Sequence, residues 1–507
     1  NPAITYSSIS QNAYGIYNDT SCTLGIHSSN IYSNTSYGLY SANSIVPVDA
    51  TNNWWGSSTG PRHASNPSGT GDVVSNYVTF VPFETNPVGV LPAPLPGPGT
   101  PPNPTAVSGT ISVNTSWILA NSPYLVTGDI IVNAGVTLTI EPGVVVKFNA
   151  ARILTVNGIL NAVGTVDQRI IFTSIKDDSV GGDSNFDGTA TYPRPGDWGR
   201  ILFADSSVDS LNKLQNAQVR FGGSGAVQTS SASPTIADNL ITLSSGYGLS
   251  HTNYSAPLVA NNYILDNLGG GISLGTTSSP TISNNQFWGN GGYAIYMDAT
   301  CYPVLSGNTA HYNDKNGVRV AGTQTFNITW KADLPYIIDG TLTINAGAAL
   351  TIEPGAVIKL TGSTASFVVN GALIADGTDL LPITFTSLRD DSIGGDTDND
   401  DGIYWPAPGD WGSITYNDSS VDAQNILDYV DIRYAGAGNV GVQISSAAPR
   451  VTNSKIFHTR GNGINVSTSA NPIIDHNTIT YSTQDGLYIT GSSVPLVSAN
   501  VFSRNTR

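Results

Sequence analysis

The sequence predicts an all-β solenoid, a parallel β-helix built from coils of about 23 residues, on three periodic features. Prolines recur at Pro234, Pro257, Pro280 and Pro303 and again at Pro449, Pro472 and Pro495, spaced 23 residues apart within each run. Apolar residues keep step with them. Ile236, Val259, Ile282, Leu305, Val451, Ile474 and Val497 stand two residues after the prolines; Ile241, Ile264, Phe287, Ala310, Ile456, Ile479 and Phe502 stand seven after; Leu249, Ile272, Ile295, Val318, Ile464 and Leu487 stand fifteen after. Asparagines hold a third fixed place, five after the proline, at Asn239, Asn262, Asn285, Asn308, Asn477 and Asn500.

Each feature has a physical reason. The apolar residues lie in short runs with alternating polar neighbours, which is the pattern of half-buried strands. A coil of 23 residues is too short for a helical hairpin and suits three short strands joined by turns. Stacked coils set each apolar side chain on its copy in the next coil and so build one continuous core. Stacked asparagine amides hydrogen-bond along the axis and tolerate left-handed backbone at a bend. Gly248, Gly271, Gly317, Gly463 and Gly486 mark another corner. Proline suits a strand's first residue, where no ladder donor is lost.

A longer repeat overlies the short one. Thr139-Ile-Glu-Pro-Gly143 returns as Thr351-Ile-Glu-Pro-Gly355, Phe172-Thr-Ser174 as Phe385-Thr-Ser387, and Gly196-Asp-Trp-Gly199 as Gly409-Asp-Trp-Gly412, at offsets of 212 to 213 residues. Residues 108–327 and 328–507 therefore read as two copies of one β-helix module. Residues 1–87 read as a further β-helix segment, with Ile4, Ile9, Asn12 and Ile16, then Ile26, Ile31, Asn34 and Gly38, on the coil template. Residues 88–107 are proline-rich and read as a semi-rigid extended linker, expected to pack on something.

Composition bounds the function. The formal net charge is -16, which disfavours nucleic acid and anionic membranes as partners. No apolar run is long enough for a membrane-spanning helix. The two cysteines, Cys22 and Cys301, are expected to be isolated thiols. With Asn1 at its start and Met297 its single methionine, the chain reads as a processed or excerpted product. It begins and stops within coil patterns, so open ends able to stack head to tail are expected.

The ladder of apolar and asparagine positions resembles the pectate-lyase-like right-handed parallel β-helix superfamily, and within it secreted bacterial β-helix repeat proteins. The Asn52-Asn-Trp-Trp-Gly56 run resembles the closing segment of many such proteins. The resemblance implies the right-handed fold and an extracellular or cell-surface location. It assigns no catalytic residue. The Gly-His-Gly and Arg-x-Lys patterns of polygalacturonase-like members have no counterpart here. Arg220 and Arg433 occupy matching strand positions, but the sequence shows no acidic cluster on those strands, as the calcium-dependent lyases would require.

Two acidic loops are the best candidates for chemistry. Residues 177–188 and 390–402 place Asp177, Asp178, Asp183, Asn185 and Asp187, and Asp390, Asp391, Asp396, Asp398 and Asp400, at the same register of the long repeat. Alternating oxygen-bearing residues, Asp183/Asn185/Asp187 and Asp396/Asp398/Asp400, suit a hard cation such as Ca²⁺. Neither loop has the final Glu or flanking helices of an EF-hand, so a structural ion that orders the insertion is expected. His27, His63, His251, His311, His458 and His476 lack metal spacing and are expected at the surface or in turns. Sequons at Asn18, Asn34, Asn114, Asn253, Asn327, Asn417 and Asn465 permit glycosylation. Trp54, Trp55, Trp288 and Trp405 are candidates for stacking on sugars or for covering loops.

These readings converge on an extracellular structural protein, a rigid rod assembling head to tail into a fibre, surface layer or adhesin. Residues 108–507 would form roughly 17 coils, a rod about 80 Å long at about 4.8 Å per coil. The alternatives are a polysaccharide lyase or hydrolase, which needs two carboxylates or a calcium site with a basic residue on one face, and a carbohydrate-binding module without turnover.

Overall fold

A computed structural model describes residues 3–5, 7–10, 12–20, 22, 24–85, 104–188, 190–400 and 402–506. The chain forms two compact units, Asn1–Gly97 and Pro98–Arg507. Of the expected linker, residues 88–103 lie outside the described residues, as do Asn1, Asp401 and Arg507. Its last residues belong to a strand, Thr105–Ile111, that pairs in parallel with Tyr124–Val132.

The larger unit is a parallel β-helix with three strands per coil, and the three apolar positions of the short repeat become its three inner faces. On the first face Trp117, Ile140, Ala162, Leu214, Ile236, Val259, Ile282 and Leu305 are successive ladder partners. Phe172, Val219, Ile241, Ile264, Phe287 and Ala310 follow one another on the second. Val227, Leu249, Ile272, Ile295 and Val318 do so on the third. Almost all are fully buried, and one hydrophobic cluster runs unbroken from Trp117 to Ile479.

The predicted asparagines form a buried ladder. Asn239, Asn262 and Asn285 each donate from Nδ2 to the Oδ1 of the asparagine in the next coil, at 3.0, 2.9 and 3.1 Å. Each also donates to a strand carbonyl of the preceding coil, as Asn262 does to Ile236 at 2.9 Å. A second ladder, Asn267, Asn290 and Asn313, runs beside it with Nδ2···Oδ1 distances of 2.9 and 2.7 Å. The left-handed residue at the first bend is the one before the ladder asparagine: Asp238, Asn261 and Asn284 have φ of 59, 55 and 54°. The corner glycines serve close approach instead. A Cβ on Gly271 would lie 2.4 Å from the Ala294 carbonyl oxygen of the next coil.

Stacking shifts where the long repeat restarts. The eight-stranded first sheet ends at Val304–Ser306, and a seven-stranded one begins at Ile328–Trp330. Lys315–Gln324 bridges this seam. Its Val318 pairs below with Ile295 of the third face and above with Tyr336, whose column becomes a second face. Both asparagine ladders end here on new partners, Asn308 on Asp333 and Asn313 on Asn316.

The smaller unit stacks Ala3–Thr5, Gly25–His27, Val48–Asp49 and Val78–Thr79 in one parallel sheet over a core of Ile26, Ile31, Leu39, Trp55, Val74 and Phe80. Three expectations change on this structure. Trp55 is buried and so cannot stack on a sugar, whereas Trp405 is 81% exposed. Asn18 and Asn34 are buried, with Asn34 Nδ2 bonded to Asp72 Oδ2 at 2.8 Å, so neither is accessible to glycosylation in the folded chain. His251 is wholly buried between Thr229 and Leu274 in an inward column, because its coil spends an imidazole where others place an aliphatic side chain. Cys22 and Cys301 are both free thiols.

Asn262→Ala strands the ladder partners of two neighbouring coils. It is expected to destabilise the larger unit by about 3 kcal/mol in denaturant titration, against under about 0.5 kcal/mol for Thr281→Ala on an exposed strand position. Equal effects would contradict the ladder's role. Burial pushes the His251 pKa down to about 3 from an ordinary 6.5. Between those values the unfolded chain holds a proton that the folded chain refuses. The stability contributed here is therefore full above pH 6.5 and falls as pH drops toward 3, by about 1.4 kcal/mol per pH unit. His251→Leu is expected to abolish this component of the stability difference between pH 7 and pH 5; an unaltered difference would count against it.

Candidate metal centres

Both acidic loops leave the coil at equivalent points, after the strands Ile170–Ser174 and Ile383–Ser387. The coil resumes in register beyond each. Leu154–Val156 stacks directly on Ile201–Phe203, and Phe367, Val368 and Val369 on Ile414–Tyr416, so the insertions cost the ladder nothing.

The first aspartate of each loop is a clamp and stands outside the group of converging acids. Asp177 is buried, accepts hydrogen bonds from Thr173 Oγ1 at 2.5 Å and Ser179 Oγ at 2.6 Å, and pairs with Arg220 at 2.5 Å. Asp390 repeats this with Thr386 at 2.6 Å, Ser392 at 2.5 Å and Arg433 at 3.5 Å. The sequence shows no acidic cluster on either arginine's strand; the loops fold over to supply a buried aspartate to each, and Arg433 also pairs with Asp431 of its own strand at 3.1 Å.

The remaining acids converge. Oxygens of Asp178, Asp183 and Asp187 lie within 4.8 Å of one another, and so do those of Asp391, Asp396 and Asp398. Asp178 Oδ1, Asn185 Oδ1 and Asp187 Oδ1 in the first loop, and Asp391 Oδ1 and Asp398 Oδ1 in the second, are buried without a hydrogen-bond donor. Burial, then the neighbouring carboxylates, raises the pKa of Asp178 and Asp391, and burial together with Asp400 and Asp391 raises that of Asp398 to about 6. Converging carboxylates that repel one another, several of whose buried oxygens lack a donor, are the donor set a hard divalent cation satisfies. Asp400 stands outside this group: its carboxylate accepts the backbone N–H groups of Gly402, Ile403 and Tyr404 at 2.7, 3.2 and 3.1 Å. In the first loop Asp183 holds the turn, accepting from Gly188 N at 2.8 Å, and Asn185 Nδ2 donates to Asp187 Oδ2 at 2.8 Å.

A buried lysine lies beneath each loop. Lys147 and Lys359 donate to the carbonyls of Gly182 and Gly395. Burial lowers both pKa values to about 8, against the opposing pull of the loop aspartates. Sequence reasoning missed them, although a lone lysine inside the apolar runs Val144–Phe148 and Val357–Leu360, 212 residues apart, was a readable signal. Behind each loop a second pair anchors the return, Lys176–Asp197 at 2.9 Å and Arg389–Asp410 at 3.5 Å.

Of the other candidates, His311 flanks Trp288 at 5.5 Å between ring centroids, and His458 stacks between Tyr434 and Tyr481 at 5.7 and 4.9 Å. His27 and His476 approach Asp49 and Asp475, and His63 bonds Ser65. Asn114, Asn253 and Asn327 are exposed, and Asn417 and Asn465 are half-buried. Trp54 is half-buried against Tyr32 at 5.5 Å.

Removing Arg220 leaves Asp177 buried and uncompensated. Arg220→Met is expected to cost about 3 kcal/mol, with part regained when Asp177→Asn is added. Lys331→Met, at a pair whose side chains are 38% and 35% exposed, is expected to cost under about 1 kcal/mol. Strict additivity in the Arg220–Asp177 cycle would refute the clamp.

Comparison with known proteins matches residues 201–330 and 414–507 to the family described as right handed beta helix region. Protein bark beetle of Drosophila melanogaster is 49% identical over 55 residues, which is 11% of this chain and 2% of that protein. The likeness to that relative is thus confined to a small segment of its length. No solved structure matches significantly.

Proposed function

From the premise that the chain is a right-handed parallel β-helix, with the fold of pectate-lyase-like proteins, we propose that it is an extracellular structural protein whose β-helix acts as a stiff rod and whose two acidic loops are ordered by calcium ions. The observation that carries this reading is where the charged groups go. At both loops the arginine, the buried lysine and the first aspartate fasten the insertion to the coil, and the other acids converge on one another. Fifteen first-face strands at about 4.8 Å per coil give the larger unit a length of about 70 Å.

Head-to-tail assembly is part of the proposal. A heterologous contact between identical β-helices, repeated from copy to copy, gives an open filament. Glycans fit at the exposed sequons Asn114, Asn253 and Asn327.

A second reading, a calcium-assisted polysaccharide lyase, is favoured by one feature: Arg220 and Arg433 lie beside acidic clusters. Both guanidinium groups are engaged with buried aspartates, which favours the structural role.

Calorimetric titration of the full chain with Ca²⁺ is expected to show two sites and a raised thermal midpoint; no binding heat and an unmoved midpoint would sink the calcium reading. Electron microscopy across protein concentrations is expected to show rods that lengthen. A monodisperse monomer would overturn assembly, and turnover of acidic or neutral glycans would establish the enzyme instead.

A further inference from the structure

The two acidic loops are duplicates in sequence, but the second one does a task that depends on its position. It stands above the seam where the stacking of coils shifts by one face. At that seam Val304–Ser306 closes its sheet, and both asparagine ladders end on substitutes, Asp333 and Asn316. A cavity of about 400 Å³, lined in part by His311, Tyr312, Leu334, Pro335, Gly394 and Asp396, opens beside the strand Thr309–His311. The first-face strand ladder and the asparagine-to-asparagine bonding along the axis stop here, and backbone pairing crosses through Lys315–Gln324.

The second loop reaches back across this gap. Asn316 donates its backbone N–H to the Thr397 carbonyl at 2.8 Å and its Nδ2 to the Asp396 carbonyl at 3.0 Å. Lys315 Nζ approaches the Asp398 carbonyl at 3.5 Å. The contacts span 80 residues or more of chain. Asn316 is at the same time the residue that terminates the second asparagine ladder, through Asn313 Nδ2 at 3.0 Å. The carbonyls it uses belong to Asp396 and its neighbour, within the group of acids whose oxygens converge.

We infer that the second acidic loop, through Asp391, Asp396 and Asp398, forms a cation-dependent clasp across the seam, so that occupancy of the second site sets how tightly the two modules of the β-helix are stacked. The inference rests on the calcium reading above. A cation drawing in Asp391, Asp396 and Asp398 fixes the Asp396 and Thr397 carbonyls where Asn316 needs them. Without it, mutual repulsion of the carboxylates loosens the loop, and the asparagine ladder loses its terminal acceptor.

Hydrogen exchange on the full chain, with calcium or with a chelator, tests this, with terbium luminescence reporting cation binding. Calcium is expected to slow exchange about tenfold or more over residues 304–344 and to leave residues 235–290 unchanged. Asp391→Asn with Asp398→Asn is expected to remove the effect at the seam. Asp178→Asn with Asp187→Asn, in the first loop, is expected to remove one bound ion and leave seam protection intact. Binding of two ions without a change at the seam would overturn the clasp alone. Absence of binding would overturn both the clasp and the calcium reading.

Discussion

Each coil of this protein depends on its neighbours to satisfy it. A strand of three to six residues cannot bury an apolar face or pair its own backbone; the coils above and below do both. The inward columns and the asparagine ladders are two expressions of that constraint. An asparagine at the bend hands one amide proton to the coil beneath and one to the next asparagine, so a buried polar group becomes an axial fastening. Period, burial and polarity are thereby locked together, and length variation is permitted only where a turn can leave and return in register.

The acidic loops obey this rule. Each departs after a second-face strand and lets the third face stack as though nothing had been inserted. Their positions on a rigid scaffold follow from the topology, and their internal chemistry is set by what lies below: a lysine in an otherwise apolar strand and an arginine on the next coil. Duplication then gives two nearly identical inserts with unlike surroundings, because the second overlooks the shifted stacking near Val318.

Much of this was legible in the sequence. Pro234 to Pro303 and their followers fixed the coil length, and the positions two, seven and fifteen after each proline are the three inner faces. What escaped was contact between residues remote in sequence. The Asp177–Arg220 clamp joins a loop to a strand 43 positions away, which no local spacing reveals. Asp400 was grouped with the converging acids because its alternation matched, whereas backbone N–H groups claim its carboxylate. Trp55 and His251 misled for a common reason: residue type suggests exposure, but a column running along the axis accepts any side chain of fitting volume. The second ladder, Asn267, Asn290 and Asn313, is readable at the same 23-residue spacing, ten residues after Pro257, Pro280 and Pro303.

Axial stacking is most directly tested by distance measurement between spin labels on outward positions of the first face. Asn161, Leu258, Thr281 and Val304 lie on one column of ladder partners, with Leu258 three coils from Asn161, Thr281 four and Val304 five. In a chain with Cys22 and Cys301 replaced, pairs made with Asn161 are expected to give separations of about 14, 19 and 24 Å, a constant increment of about 4.8 Å per coil. Separations that fail to grow by a fixed step, or that scatter as between independent folded pieces, would contradict a common axis.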